Sequence, residues 1–194
     1  METLKAPQTD NINELIKKRW SPRAFSSDPV GKEELMTLFD AGRRAASSFN
    51  LQPWRFVYAT QEDPEAFQNL LDVLLEVNQA WAKNAPALFM TIAEAYNPAT
   101  GDRNAHAWHD VGLAMGNLTF QASHMGLYLH QIGGYDKEKA QQNLNLPDGF
   151  EPVAAVAVGY PGDPSQLPEK MKESELNASP RKPVDALVFE GQLV

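Results

Sequence analysis

Cysteine is absent from this chain of 194 residues. Its absence excludes disulfides, thiolate nucleophiles, thiolate-held zinc and cysteine-ligated iron–sulfur clusters. Any redox chemistry must therefore be carried by a bound cofactor. Long apolar runs are also missing: none approaches the roughly 20 residues of a membrane span. The opening stretch from Met1 to Pro7 has no apolar segment of secretory type, so a soluble, cytoplasmic protein is expected, with no membrane partner. Positive charge is scarce, 17 Lys and Arg against 25 Asp and Glu, for a net charge of -8. That balance argues against non-specific nucleic-acid binding and leaves room for a small, inward-facing basic pocket. Glycine-rich nucleotide loops are lacking as well. Neither Gly133-Gly134 nor Gly159-Tyr160-Pro161-Gly162 fits G-x-G-x-x-G or a P-loop. No nucleophile-elbow motif accompanies the serines, which removes the main sequence argument for hydrolysis.

A chain of this length fits one domain, which buries roughly 70% of the surface its unfolded form exposes. Hydrophobic spacing predicts a helix from Asn11 to Arg19, capped by Asp10 or Asn11, with Ile12, Leu15 and Ile16 on one face. A second helix is expected from Lys32 to Ala45, and a third after Pro64 with Phe67, Leu70, Leu71 and Leu74 in its stripe. Trp54 to Thr60, Leu127 to Ile132 and Val153 to Val158 read as strands. Ala87 to Ala93 is apolar enough for a strand buried on both faces. The longest periodic segment, Trp108 to Met125, predicts a helix packed in the core or on a partner subunit, with Gly112, Ala114 and Gly116 allowing close approach. Asp136 is placed to cap a short helix from Lys137 to Leu144. From Pro161 onward the composition changes, with five of the 14 prolines in the last 34 residues. Only Ala186 to Glu190 there resembles a strand, so this tail is expected to wrap another surface. The pattern is α+β, with helices dominating a modest sheet.

Two polar segments carry the chemistry. Arg19-Trp20-Ser21-Pro22-Arg23 puts two guanidiniums and a hydroxyl along an extended helix exit, a set that matches phosphate oxygens. The same cations also suit a helix C-terminus, and spacing alone leaves both readings open. Ser47, Ser48, Asn50 and Gln52 alternate with Phe49, Leu51, Pro53 and Trp54. Polar groups interleaved with such neighbours are expected to be buried and in need of partners. The polar edge of a planar heterocycle would supply them. Gly133 and Gly134 permit a backbone to approach a flat ligand, or simply form a tight turn. Of His106, His109, His124 and His130, the first two share a helical face beside Asp110, which is too little to predict a metal site. No metal is expected.

In this order, these segments resemble the nitroreductase family of FMN-dependent oxidoreductases, from about Asn11 to Pro183. Its Arg-x-Ser-x-Arg/Lys element is matched by Arg19, Ser21 and Arg23. Its Ser-x-x-Asn-x-Gln-Pro-Trp element is matched by Ser47 to Trp54. Asn78 stands where the family often places an asparagine against the flavin pyrimidine. Asp110-Val111-Gly112-Leu113-Ala114, Ile132-Gly133-Gly134-Tyr135-Asp136 and Arg181-Lys182-Pro183 also look like family elements. Departures are Trp20, in a slot often held by Arg or His, Trp81 where some members have lysine, and Gly133 where some have an acid.

The resemblance implies a nitroreductase-like α+β fold: a central, mostly antiparallel sheet flanked by helices, in one domain over residues 1–194, with about 161–194 as a C-terminal extension wrapping the partner. It implies a homodimer with two FMN sites at the interface. Arg19, Ser21, Arg23, Asn78, Gly134 and Arg181 would bind FMN from one subunit. Ser47, Ser48 and Asn50 would reach in from the other, and Trp20, Gln52 and Gly133 would also bind the cofactor. NADH or NADPH would be co-substrate, with hydride passing through flavin N5 to a nitroaromatic, quinone or similar small-molecule acceptor by a ping-pong mechanism. The Gly134 amide would face N5, and no side chain is clearly required as acid or base. A flavin-dependent dehydrogenase or oxidase of a specialised substrate, or a non-catalytic flavin-storage protein, are the competing readings.

Overall fold

The computed structural model describes residues 11–177 and 180–193. Its sheet has four antiparallel strands in the order β1-β2-β4-β3, with β1 at Trp54–Thr60, β2 at Ala87–Glu94, β3 at Tyr128–Ile132 and β4 at Phe150–Gly159. β2 lies inside the sheet and is buried along all but its last residue, as its continuous apolar sequence requires. Alternation sorts its side chains to two cores. Leu88, Met90 and Ile92 pack on one face with Ala155 and Ala157 of β4, under α3 (Pro64–Leu71) and α4 (Glu76–Ala82). Phe89 packs on the other with Val156 and Val158, under Leu35 and Leu38 of α2 (Lys32–Gly42) and Met115, Leu118 and Ala122 of α5 (Ala107–His124). The buried Thr91 sits where the β2–β4 register shifts. Its hydroxyl donates to the Ala154 carbonyl and accepts the Ala154 amide, each at 3.0 Å, so the irregularity leaves no orphaned backbone group.

Local signals account for most boundaries. Asp63 caps α3 through the Ala66 amide, and Asp136 caps α6 (Lys137–Asn143) through the Glu138 and Lys139 amides. The first helix is shorter than its apolar pattern predicts: α1 spans Glu14–Lys18 and is capped by Asn13, whose side chain accepts the Leu15 amide. Of the two expected caps, Asn11 lies ahead of the helix and Asp10 falls outside the described residues. The helix after Pro64 stops at Leu71 rather than reaching Leu74. Residues 73–75 pair instead with 134–136, through Asp136 N–H to the Val73 carbonyl at 2.8 Å and Leu75 N–H to the Gly134 carbonyl at 3.1 Å. A helix running through Leu74 would have to give up that pairing.

The expected strand at Ala186 to Glu190 is not formed. A 3-10 turn, Val184–Ala186, takes its place, because strand-forming side chains need a sheet edge to pair with and none of the described strands adjoins them. The tail does contain a helix that composition did not announce, α7 at Glu169–Leu176. Several apolar side chains stay uncovered within the chain: Ile12 and Ile16 flanking and on α1, Leu113 and Phe120 on α5, and Val184, Leu187, Val188, Phe189 and Leu193 in the tail. On α5, Gly112 and Gly116 face open space, while Ala114 turns inward to the core. Among the described residues no helix is long and apolar enough to cross a membrane.

Candidate functional site

Three groups of residues hold the candidate cofactor-binding residues that the sequence singles out. The first is the exit from α1. Arg19 ends the helix in extended backbone (φ -64°, ψ 125°), and its guanidinium Nη1 donates to Ser21 Oγ at 3.2 Å. Arg181, arriving from the tail, lies close enough for its charge to lower the Arg19 pKa, second to the larger effect of burial. Among the described residues no carboxylate pairs with either arginine. Like charges near each other disfavour the charged form, and an anion bound there would offset that effect. Trp20 sets its ring edge-on to Tyr128, with centroids 6.0 Å apart. Arg23 has a protein partner that the motif does not reveal. Glu175 of α7, 2% exposed, approaches its guanidinium at 4.0 Å and accepts its amide at 2.9 Å.

The second group joins α4 to the turn after β3. Asn78 donates its side-chain amide to the Gly134 carbonyl at 2.9 Å. A Cβ on Gly134 would collide with that same Asn78 nitrogen, well inside the 3.0 Å that real Cβ atoms keep. An alanine at 134 would therefore push the Asn78 amide, the end of a flexible side chain, off the Gly134 carbonyl. Gly133 is different, since nothing lies within 4 Å of where its Cβ would sit. The pair expected to act together divides into one constrained glycine and one free one. The Gly134 carbonyl takes two donors, from Leu75 and Asn78, while its N–H meets no acceptor among the described residues.

The third group is the Ser47–Gln52 turn. Ser47 Oγ accepts the Gln52 amide at 3.0 Å. The Ser48 amide donates to Asp110 Oδ2 at 3.0 Å, and His109 Nδ1 meets Oδ1 of the same carboxylate at 3.2 Å. Asp110 is 2% exposed in the first turn of α5. Arg55 closes the turn by donating to the Gln52 carbonyl at 3.1 Å and pairing with Glu94 at 2.6 Å. Phe49, Asn50 and Gln52 all adopt left-handed backbone, at φ 51°, 55° and 49°. Such residues cost of order 1–3 kcal/mol each and persist only where their surroundings hold them. The expectation that these polar groups are buried holds partly for Ser47 and Ser48 but not for Asn50 and Gln52, which are exposed. The left-handed turn throws them outward, together with a Phe49 ring that is 94% exposed. Asp110→Ala is expected to cost about 1–3 kcal/mol, the penalty for orphaning the Ser48 amide, and to open the turn to protease. Limited proteolysis with mass mapping reads this, and an unchanged cleavage pattern would count against the tether.

The hydrogen bonds of this turn run to Asp110 and Arg55, and not to the other two groups. The chain thus presents separate surfaces: cations at 19, 23 and 181, an amide edge at 78 and 134, and a strained polar turn at 47–52. His109 serves Asp110, and His106 stands at the N-terminus of α5. Among the described residues no set of three His, Asp or Glu side chains is arranged to hold a metal. Sequence reading passed over Asp110, Glu175 and His130 as functional supports. Asp110 had a signal, an acid among the apolar positions of a helix. Glu175 had none, because α7 carries several charges and burial selects one.

The chain belongs to the nitroreductase family, whose model matches residues 16–160. An NADPH-dependent oxidoreductase of Staphylococcus epidermidis is 28% identical over 172 residues, a match spanning 80% of this chain and 66% of that protein. An uncharacterised 15.4 kDa protein of Mycolicibacterium smegmatis is 31% identical over 129 residues, covering 66% of this chain and 84% of its own. A crystal structure of an oxidoreductase containing FMN superposes with a TM-score of 0.90 at 38% identity, over 96% of both chains. A nitroreductase family protein from Clostridium difficile 630 shares the fold, with a TM-score of 0.73 at 23% identity over 94% of this chain and 99% of that one.

Proposed function

We propose that this protein is an FMN-dependent oxidoreductase that uses NADH or NADPH as electron donor and works as a homodimer. The observation that carries the reading is Arg19, bonded to the Ser21 hydroxyl and within reach of the Arg181 charge, with no carboxylate paired to either arginine among the described residues. A phosphate monoester supplies the charge and the acceptor oxygens that such a donor set lacks. The rest of the donor set fits the flavin ring. Asn78 offers an amide edge, Gly134 a backbone N–H without an acceptor among the described residues, and Gly133 open space beside it.

When bound, that group supplies the redox chemistry: hydride in from NAD(P)H, then electrons out to a nitroaromatic, quinone or similar acceptor in ping-pong order. The chain's own residues bind and orient. Arg19, Ser21 and Arg181 hold the phosphate, with Trp20 packing the segment against Tyr128. Arg23 would bring positive charge toward the bound ring, and the Gly134 N–H would be free to donate to it, as preorganised donors stabilise developing charge. Ser47, Ser48, Asn50 and Gln52 complete the site from the partner subunit. Their outward, strained display supports that assignment, since the turn has no reason of its own to hold three left-handed residues. The uncovered apolar side chains of α5 and of the tail support dimerisation, with the tail wrapping the partner. No side chain in these groups is needed as a general acid or base, so solvent supplies the proton.

Purified protein is expected to be yellow, with flavin absorbance that bleaches anaerobically on adding NADH or NADPH. Colourless protein that fails to take up added FMN would overturn the proposal. Arg19→Ala is expected to weaken FMN binding by about 1.5–3 kcal/mol, the value of a charged hydrogen bond, or roughly ten- to a hundredfold in Kd. Fluorescence titration measures it, and an unchanged Kd would remove Arg19 from the phosphate site.

A further inference from the structure

The segment between Arg19 and Arg23 belongs to no helix and no strand, yet its backbone is hydrogen-bonded from two sides where it turns inward. The Pro22 carbonyl is met by His130 Nδ1 of β3 at 2.8 Å. A carbonyl only accepts, so Nδ1 carries the hydrogen and the tautomer is fixed. From another side, Glu175 Oε1 of α7 accepts the Arg23 amide at 2.9 Å and the Ala24 amide at 3.4 Å. The Ala24 carbonyl accepts from the Gly162 amide at 2.9 Å. Two of these partners are side chains, and both are themselves immobilised. The His130 imidazole lies against the buried Trp81 ring, with centroids 4.6 Å apart. Glu175 is 2% exposed and has Arg23 as its only charged partner among the described residues.

We infer that His130 and Glu175 are positioning residues that clamp the backbone at 22–24 and thereby set how tightly FMN is held, through Arg19 and Ser21 at the phosphate and Arg23 beside the ring; the inference rests on the proposed function. Guanidiniums bind a phosphate well only when the backbone that carries them is already in place, because ordering it at the moment of binding subtracts from affinity. A donor on one side and an acceptor on the other fix both ends of the Pro22–Arg23 peptide. Burial holds the imidazole neutral, its pKa pushed down to about 4, so it remains a single-proton donor to Pro22 at neutral pH. Glu175 has a second effect, since it aligns the Arg23 guanidinium while anchoring the helix that leads the chain toward Arg181.

The test compares FMN Kd, by fluorescence titration of the full chain, with the urea midpoint of the same proteins. His130→Leu and Glu175→Ala are each expected to raise Kd about tenfold, as lost buried hydrogen bonds do. His130→Asn and Glu175→Gln, which keep an amide donor and a carbonyl acceptor, should recover most of it. Leu38→Ala, in the core on the opposite face of the sheet, should lower the midpoint and leave Kd unchanged. Should a truncation unfold the chain, His130→Gln and Glu175→Asp, which displace the bonding atom without removing it, are read in its place with the same expected direction. Wild-type Kd in the folded truncations overturns the inference, and so does a rise in Kd that simply follows stability and includes Leu38→Ala. Wild-type protein that binds no FMN at all fails earlier and overturns the function itself.

Discussion

Gly162→Ala is expected to lower the melting temperature by about 6–12 °C, equivalent to about 3 kcal/mol in a chain of this size. Gly162 follows the bridge between Phe25 and Pro161, and its amide donates to the Ala24 carbonyl at 2.9 Å. A Cβ there would overlap the carbonyl carbon and oxygen of Phe25 and come within 2.6 Å of Gln166 Nε2. The glutamine can swing aside, but the Phe25 backbone cannot. It is tied to the Phe25 ring, which stacks on Trp81 at 6.4 Å in the main core. Gly162 does not adopt left-handed φ, so the cost comes from space and not from conformation. Gly133→Ala is the matched control. With nothing near its Cβ, it should stay within about 0.5 kcal/mol of wild type. Thermal unfolding followed by circular dichroism reads both, and a Gly162→Ala transition overlying that of Gly133→Ala would refute the argument.

The second large effect is on pH dependence. His130 is held neutral in the native state down to about pH 4, against a usual value of 6.5 in an unfolded chain. Burial is the main cause. The Pro22 carbonyl opposes it, and the Arg23 and Arg19 charges add to it. Between those two values the unfolded chain binds the extra proton, so acid favours unfolding. The contribution is complete above pH 6.5 and is lost as the pH falls toward 4. At about 1.4 kcal/mol per unit it amounts to roughly 3 kcal/mol. Glu151, whose carboxyl is held low chiefly by the Trp108 indole N–H and also by Arg103, loses its contribution only below its ordinary 4.5. The window from pH 4.5 to 6.5 therefore separates the histidine from Glu151, and the His130→Asn comparison assigns the slope to it. Urea midpoints across it should fall steeply in the wild type and much less in His130→Asn. Parallel slopes would show that the imidazole is not the titrating group.

Periodicity and turn chemistry made much of this fold legible. The apolar run at Ala87 to Ala93, the three- and four-residue spacing of α5 and the cap at Asp136 each follow from one local rule, and each stands in the structure. The failures share a physical origin. Leu74 fits a helical stripe, but pairing with Tyr135 decides its backbone. Ala186 to Glu190 has strand-forming side chains and no described edge to join. In the candidate site, residues that offer donors outward, such as Arg19, Ser21, Asn78 and Arg181, declare themselves by type and order. Residues that act by holding others do not. His130 and Glu175 matter because of where β3 and α7 deliver them, and no spacing within a single segment encodes that meeting.

The clamp on residues 22–24 has a consequence for the order of events during synthesis. The Arg23 amide waits for a carboxylate 152 positions later in the chain. At the usual 5–20 residues per second, a ribosome needs about 8–30 s to make that interval. For most of that time Arg19 and Arg23 are clear of the exit channel, while the acceptor that orders their backbone has yet to be translated. On the proposed function, tight cofactor capture would then wait for α7, and chains truncated before Glu175, which also lack Arg181, should hold flavin more weakly however well their sheet has formed.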